Sequence, residues 1–146
     1  YLRKARRMNG LNLLIADSMR AVAVEATRDK IVTEEISSGI LVRTNHYVFQ
    51  ELKSLNPDPL EYPSTFYRHE RISMFLNEKF GRIRFQEMLS IASDHENGEN
   101  CVCRHGFGTN KGKTVSMSII VLEDSQMWSS LRNPCESLCL SRGKGR

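Results

Sequence analysis

The side chains able to do chemistry in this chain are four cysteines, four histidines and a few polar clusters. Cys101 and Cys103 form a C-x-C pair and Cys135 and Cys139 a C-x3-C pair, with His105 close in sequence. Thiolates and imidazoles are zinc ligands. Zinc knuckles and fingers, however, usually use C-x2-C or C-x4-C spacing, because a short turn then brings both sulfurs onto one ion. In a strand, C-x-C points both thiols to one face, which suits plain burial, and free cysteine is among the most buried residue types. The spacing favours packed, reduced thiols over a metal site, and no metal or cofactor is expected; a small zinc protein stands as the third functional class. Reduced cysteines suit a cytoplasmic chain.

The histidines His46, His69, His95 and His105 are dispersed, and no local Ser/His/Asp or Cys/His set is complete. His69 lies among charged residues and reads as surface, while His95 and His105 adjoin loops and suit structural hydrogen bonding. The stretch Gly108-Thr109-Asn110-Lys111-Gly112-Lys113-Thr114 approaches a phosphate loop. The spacing G-x4-G-K-[ST] would place its first glycine at position 107, which is Phe, and a phosphate loop must open a helix, whereas a strand pattern follows here. It reads as a flexible approach to a hairpin.

The elements that must position these groups follow from patterning. Leu11-Asn12-Leu13-Leu14-Ile15-Ala16 and Ala21-Val22-Ala23-Val24-Glu25-Ala26 flank the polar cluster Asp17-Ser18-Met19-Arg20, which predicts a β-hairpin. A further strand over residues 30–34 and another over 40–43 complete an antiparallel meander, so that Thr44-Asn45-His46 closes a strand. The alternating prolines of Asn56-Pro57-Asp58-Pro59 predict loop. Ser64 stands where a helix N-cap belongs, and Phe66, Ile72, Phe75, Leu76 and Phe80 share a helical face that ends at Gly81. Residues 82–91 read as a second amphipathic helix and 94–100 as loop. A strand over 114–122, a turn and a strand over 127–131 form a C-terminal hairpin, with residues 136–140 available as one more strand. Strands and helices segregated in this way indicate an α+β fold rather than a parallel α/β one.

Bulk properties exclude several classes. A length of 146 residues suits a single domain. No apolar run approaches the roughly 18 residues needed to span a bilayer, and no membrane association is expected. The net charge of +4 comes from the ends: without Arg3, Lys4, Arg6, Arg7, Arg142, Lys144 and Arg146, the 21 basic residues fall to 14 against 17 acidic ones. Basic tips on an acidic body are a poor footprint for nucleic acid, and none is expected as a partner.

Resemblance carries the reading further. Leu13-Leu14-Ile15-Ala16-Asp17, Val22-Ala23-Val24-Glu25 and Leu41-Val42-Arg43-Thr44-Asn45-His46-Tyr47 resemble the acyl-coenzyme A:isopenicillin N acyltransferase family of autoprocessing N-terminal-nucleophile (Ntn) hydrolases. Further pieces follow in the family's order: Ser64, Arg68 and Arg71; Asp94-His95; Cys101-Val102-Cys103-Arg104-His105; the strand from Thr114; and Asn133-Pro134-Cys135. The resemblance implies that residues 1–146 are the C-terminal part of a four-layer αββα sandwich. It further implies a precursor that cuts itself before a cysteine whose thiol becomes the nucleophile and whose free α-amine accepts the proton. Asn45 would then donate its side-chain amide N–H to the oxyanion, while His46 and Asp17 hold loops in shape. The implied substrate is a small-molecule amide or acyl-CoA thioester.

Several positions depart from the family pattern. Residue 1 is Tyr, so the nucleophile is expected in a preceding segment, with this chain inactive alone and partnered by the remainder of its precursor or subunit. Ser18-Met19-Arg20 occupies a turn that usually carries Gly, and Gly106 follows His105 where relatives tend to have Pro. The competing class is a non-catalytic binding or oligomerisation module derived from the same fold, in which a homo-oligomer would cover the exposed sheet edges.

Overall fold

A computed structural model describes residue 4 and residues 6–106, 112–137 and 139–142, the last four through their backbone only. Most of the phosphate-loop-like stretch and the C-terminal basic tip lie outside the described residues. The chain divides into two compact units, Tyr1–His69 and Glu70–Arg146.

In the first unit, strands β1 (Leu11–Ala16), β2 (Ala21–Ala26) and β3 (Ile31–Ile36) form an antiparallel meander, with Leu11 opposite Ala26 and Ala26 opposite Ile31. The two hairpin turns are built alike. Asp17 Oδ1 accepts the backbone N–H groups of Met19 and Arg20 at 2.8 and 3.0 Å. Thr27 Oγ1 does the same for Asp29 and Lys30 at 3.2 and 2.9 Å. Side-chain acceptors of this kind stand in for a backbone turn. No described residue from 18 to 20 has a positive φ, so this turn does not require glycine. The central strand β2 is buried through Ala23, Val24, Glu25 and Ala26, whereas edge strand β1 leaves Leu14 and Ile15 half exposed.

The predicted strand over residues 40–43 does not form: among the described residues no strand pairs with it. Thr44-Asn45-His46 is therefore a corner after an unpaired extended segment. A 3-10 stretch, Gln50–Leu55, leads to the proline loop and buries Leu52.

Helix α1 (Pro63–Glu78) begins in the first unit and ends in the second. Pro63 opens it: a missing N–H costs nothing in a first turn. Ser64 accordingly sits inside the helix rather than capping it. The chain leaves α1 at Gly81, whose φ of +77° favours a residue without Cβ.

In the second unit, α2 (Phe85–Ala92) starts later than residue 82 because Arg84 N donates to the Glu87 carboxylate at 2.9 Å, fixing the first turn there. Strands β4 (Met117–Val121), β5 (Gln126–Ser130) and β6 (Cys139–Arg142) form a second antiparallel sheet, so the expected hairpin has a third strand. Strand β4 is shorter than residues 114–122, since Thr114 bonds Arg104 instead, its N to the Arg104 carbonyl at 2.8 Å and its Oγ1 to the Arg104 N at 3.0 Å. Phe85 of α2 packs on Trp128 at 4.6 Å between ring centroids, and Leu76, Ile91, Cys101, Cys103 and Ile119 are buried. The architecture is α+β with antiparallel sheets. Among the described residues no helix is long and apolar enough to cross a membrane.

Candidate functional site

The corner at residues 44–46 is held by side chains that occupy the backbone groups a sheet would otherwise pair. Asn12 Nδ2 donates to the carbonyls of Thr44 and His46 at 2.6 and 2.9 Å. Before the corner, the Arg43 side chain is almost wholly buried, its Nε 2.7 Å from Glu25 Oε1 and its Nη2 3.0 Å from Glu34 Oε2. Its guanidinium also lies over the Phe49 ring, 4.9 Å from the centroid. The first contact is an ion pair by distance rather than an aligned hydrogen bond. After the corner, the same Glu25 carboxylate accepts the backbone N–H groups of Val48 and Phe49 at 2.9 and 3.1 Å. One buried carboxylate on β2 thus ties down both flanks of the tripeptide.

The first turn of α1 supplies the inner wall. Thr44 Oγ1 donates to the Thr65 carbonyl at 2.9 Å, and Thr65 Oγ1 donates to Thr44 Oγ1 at 3.0 Å while accepting Asn45 N at 2.8 Å. His46 Nδ1 lies 3.1 and 3.0 Å from these two hydroxyls. Its ring stacks on Phe66 at 4.2 Å and meets the edge of His69 at 5.2 Å. Burial, and then His69, lower the pKa of His46; burial, and then Arg43, lower that of His69. Both rings are therefore neutral near pH 7, as suits packing rather than charge. His46 and Asp17 both hold loops, as the sequence implies, and His69 is half-buried rather than on the surface.

Asn45 itself is exposed. Arg68 Nη2 donates to its Oδ1 at 2.8 Å, and Arg68 Nε lies 3.2 Å from both the carbonyl and the Oγ of Ser64. A guanidinium has only donors, so it fixes which end of the amide faces it. The oxygen of Asn45 is taken and Nδ2 is turned away as a donor. Beside the corner opens a cleft of about 750 Å³ lined by His46, Tyr47, Lys53, Asn56, Phe66 and His69 among others. The proline loop also lines it, pinned by Tyr47 N to Asn56 Oδ1 at 2.6 Å and Asn56 Nδ2 to the Tyr47 carbonyl at 2.8 Å.

Residues 1–136 match the family described as acyl-coenzyme A:6-aminopenicillanic acid acyl-transferase. The chain belongs to this family. No curated protein matches it. Membership in this acyltransferase family supports acyl-transfer chemistry and agrees with the resemblance carried by the corner and the later motifs.

The later motifs gather in the second unit. Cys101 behaves as expected of a packed thiol, buried with its Sγ donating to the Cys103 carbonyl at 3.0 Å. Cys103 and Cys135, by contrast, meet with their sulfurs 3.6 Å apart, beside His105 and His95. Burial of the sulfur, and then the neighbouring Cys103 thiol, push the Cys135 thiol up to about 11. The side chain of Cys139 is outside the described residues. Gly106 has a φ of +77°, which Pro cannot adopt, so the turn after His105 excludes the expected alternative of proline at this position.

Sequence reasoning missed Glu25, Arg43 and Thr65 as supports of the corner and did not pair Arg68 with Asn45. A signal existed for Glu25: a lone carboxylate in the Val- and Ala-rich strand β2 must find partners if buried. Nothing local announces that Arg68 reaches back to residue 45.

Proposed function

We propose that this chain supplies the oxyanion-binding part of an Ntn-type acyl-transfer site acting on a small-molecule amide or acyl-CoA thioester. The observation that carries this reading is the hydrogen bond from Arg68 to Asn45 Oδ1, in a chain of the acyltransferase family. The attacking thiol is that of an N-terminal cysteine released by autoprocessing. Its own α-amine, with a pKa of about 8, takes the thiol proton. Sulfur adds to the acyl carbon, the carbonyl π electrons move to oxygen, and Asn45 Nδ2–H donates to the resulting oxyanion. Collapse expels the amine or thiol leaving group, which receives the proton, and leaves a thioester. Water or an acceptor amine then takes the acyl group and regenerates the thiol.

An uncharged, fixed donor is suited to this task because it stabilises the developing charge without changing protonation state, at about 3–4 kcal/mol in the transition state. Arg68 adds preorganisation, and its positive charge polarises the amide. The cleft beside His46 and Phe66 is the candidate acyl pocket. We read the two antiparallel sheets as portions of the αββα sandwich, with the half-exposed Leu14 and Ile15 of β1 covered by the remainder of the precursor or subunit.

The test is turnover of the complete protein carrying the nucleophile. Asn45→Ala lowers kcat by about a hundredfold or more, with unchanged thermal unfolding. Arg68→Ala, which frees the amide to rotate, lowers it by roughly tenfold. Undiminished turnover in Asn45→Ala would show that the oxyanion is bound elsewhere.

A further inference from the structure

The Cys/His cluster of the second unit is separate in composition from the Asn45 corner. His95, Cys103, His105 and Cys135 each offer one ligand atom, and these atoms all lie within 4.8 Å of one another. We propose that these four side chains form a tetrahedral zinc site. The ligand set is His95 Nε2, Cys103 Sγ, His105 Nε2 and Cys135 Sγ.

The spacings are those a shared ion imposes. Zinc bound at about 2.3 Å to sulfur and about 2.05 Å to nitrogen sets tetrahedral edges of about 3.8 Å between sulfurs, about 3.4 Å between nitrogens and about 3.5 Å between unlike atoms. The two sulfurs are 3.6 Å apart and the two nitrogens 3.0 Å. His105 Nε2 is 3.4 Å from Cys135 Sγ and 3.9 Å from Cys103 Sγ. Hydrogen bonding among the four does not account for this convergence. His105 Nε2 carries either one lone pair or one N–H, yet three prospective partners crowd it at 3.0, 3.4 and 3.9 Å.

The surroundings have the features of a metal centre's outer shell. His105 Nδ1 faces Glu136 Oε1 at 3.5 Å, the carboxylate–histidine arrangement that orients a ligating imidazole through its other nitrogen. Asn133 Nδ2 donates to Cys103 Sγ at 3.3 Å and to the Arg104 carbonyl at 2.8 Å, tying the sulfur to the backbone that follows it. The backbone of the His95 loop is fixed as well. Arg71 Nη2 binds the Asp94 carboxylate at 2.7 Å, and the Asp94 carbonyl accepts Cys103 N at 2.9 Å. Four protein ligands leave no position for substrate, so the ion is structural. It would staple the loop after α2 and residues 103–105 to the more distant loop after β5.

The experiment uses the metal-stripped chain, titrated with Co²⁺ and then Zn²⁺. One equivalent of Co²⁺ binds with the visible bands of tetrahedral cobalt and a sulfur-to-cobalt charge-transfer band, and Zn²⁺ displaces it. Cys135→Ser and His95→Ala, both at exposed positions, weaken Co²⁺ binding by at least about tenfold, and Glu136→Gln weakens it by about tenfold. Cys101→Ser binds as the unaltered chain does. Less than about a tenth of an equivalent of Co²⁺ on a folded chain, or binding without the sulfur band, would overturn the proposal. So would a Cys101→Ser variant impaired as severely as Cys135→Ser.

Discussion

The carboxylate of Glu25, fully shielded from solvent in the middle of β2, lies 2.7 Å from the Nε of Arg43, whose side chain is 6% exposed. The pair couples the central strand of the first sheet to the corner that carries Asn45. Its worth for stability is decided by what happens when one partner goes. Two charges buried together can be nearly neutral relative to an apolar pair, but a survivor left alone keeps its full desolvation cost. Arg43→Met is therefore expected to destabilise the chain by about 3–5 kcal/mol, read from urea unfolding. A loss below about 1 kcal/mol would mean that water reaches Glu25 once the guanidinium is removed.

The neutral histidines behind the corner make stability depend on pH with a definite sign. Burial lowers the pKa of both His46 and His69 below their ordinary value of 6.5. Between the lowered pKa and 6.5, the unfolded chain binds more protons than the folded one, so stability rises with pH across that window. Above pH 6.5 these two residues add no pH dependence; as pH falls below it, stability declines until the folded-state pKa values are passed. Urea midpoints measured from pH 7.5 to 5.0 should fall, and His69→Gln should flatten the fall. An unchanged slope in that variant would assign the dependence to other groups.

Gly81 offers a clean backbone test. Its φ is +77°, and a Cβ built there meets no atom within 4 Å, so Gly81→Ala introduces conformational strain without a clash. The left-handed conformation costs a residue with a Cβ about 1 kcal/mol, and the melting temperature should drop accordingly. An unaltered melting temperature would indicate that the chain leaves α1 by another route.

Much of the local structure is legible in the sequence. The apolar runs separated by Asp17–Arg20 and Thr27–Lys30 encode β1, β2 and β3, because each turn is completed by a side chain within the turn itself. Helices α1 and α2 follow from apolar spacing, with limits displaced where Pro63 and Glu87 control the first turns. The expectation of a strand at residues 40–43 failed for a physical reason. Its apolar residues carry β propensity, but among the described residues no strand pairs with it, and the Val42 carbonyl accepts the Arg43 Nη1–H instead.

The sequence alone determined the family, the α+β class, the meander with its turn chemistry, and Asn45 as the residue to watch. These depend on residue order and on interactions that span a few positions. Only the tertiary structure decided that Arg68 fixes the Asn45 amide and that Glu25 braces both sides of the corner. It also decided that Cys103 pairs with Cys135, His95 and His105 rather than with Cys101. Most of those relationships join residues well separated in sequence, such as Asn45 with Arg68 and Cys103 with Cys135, and no local spacing encodes those. They arise when packing carries separate segments to one place and each polar group must find a partner there.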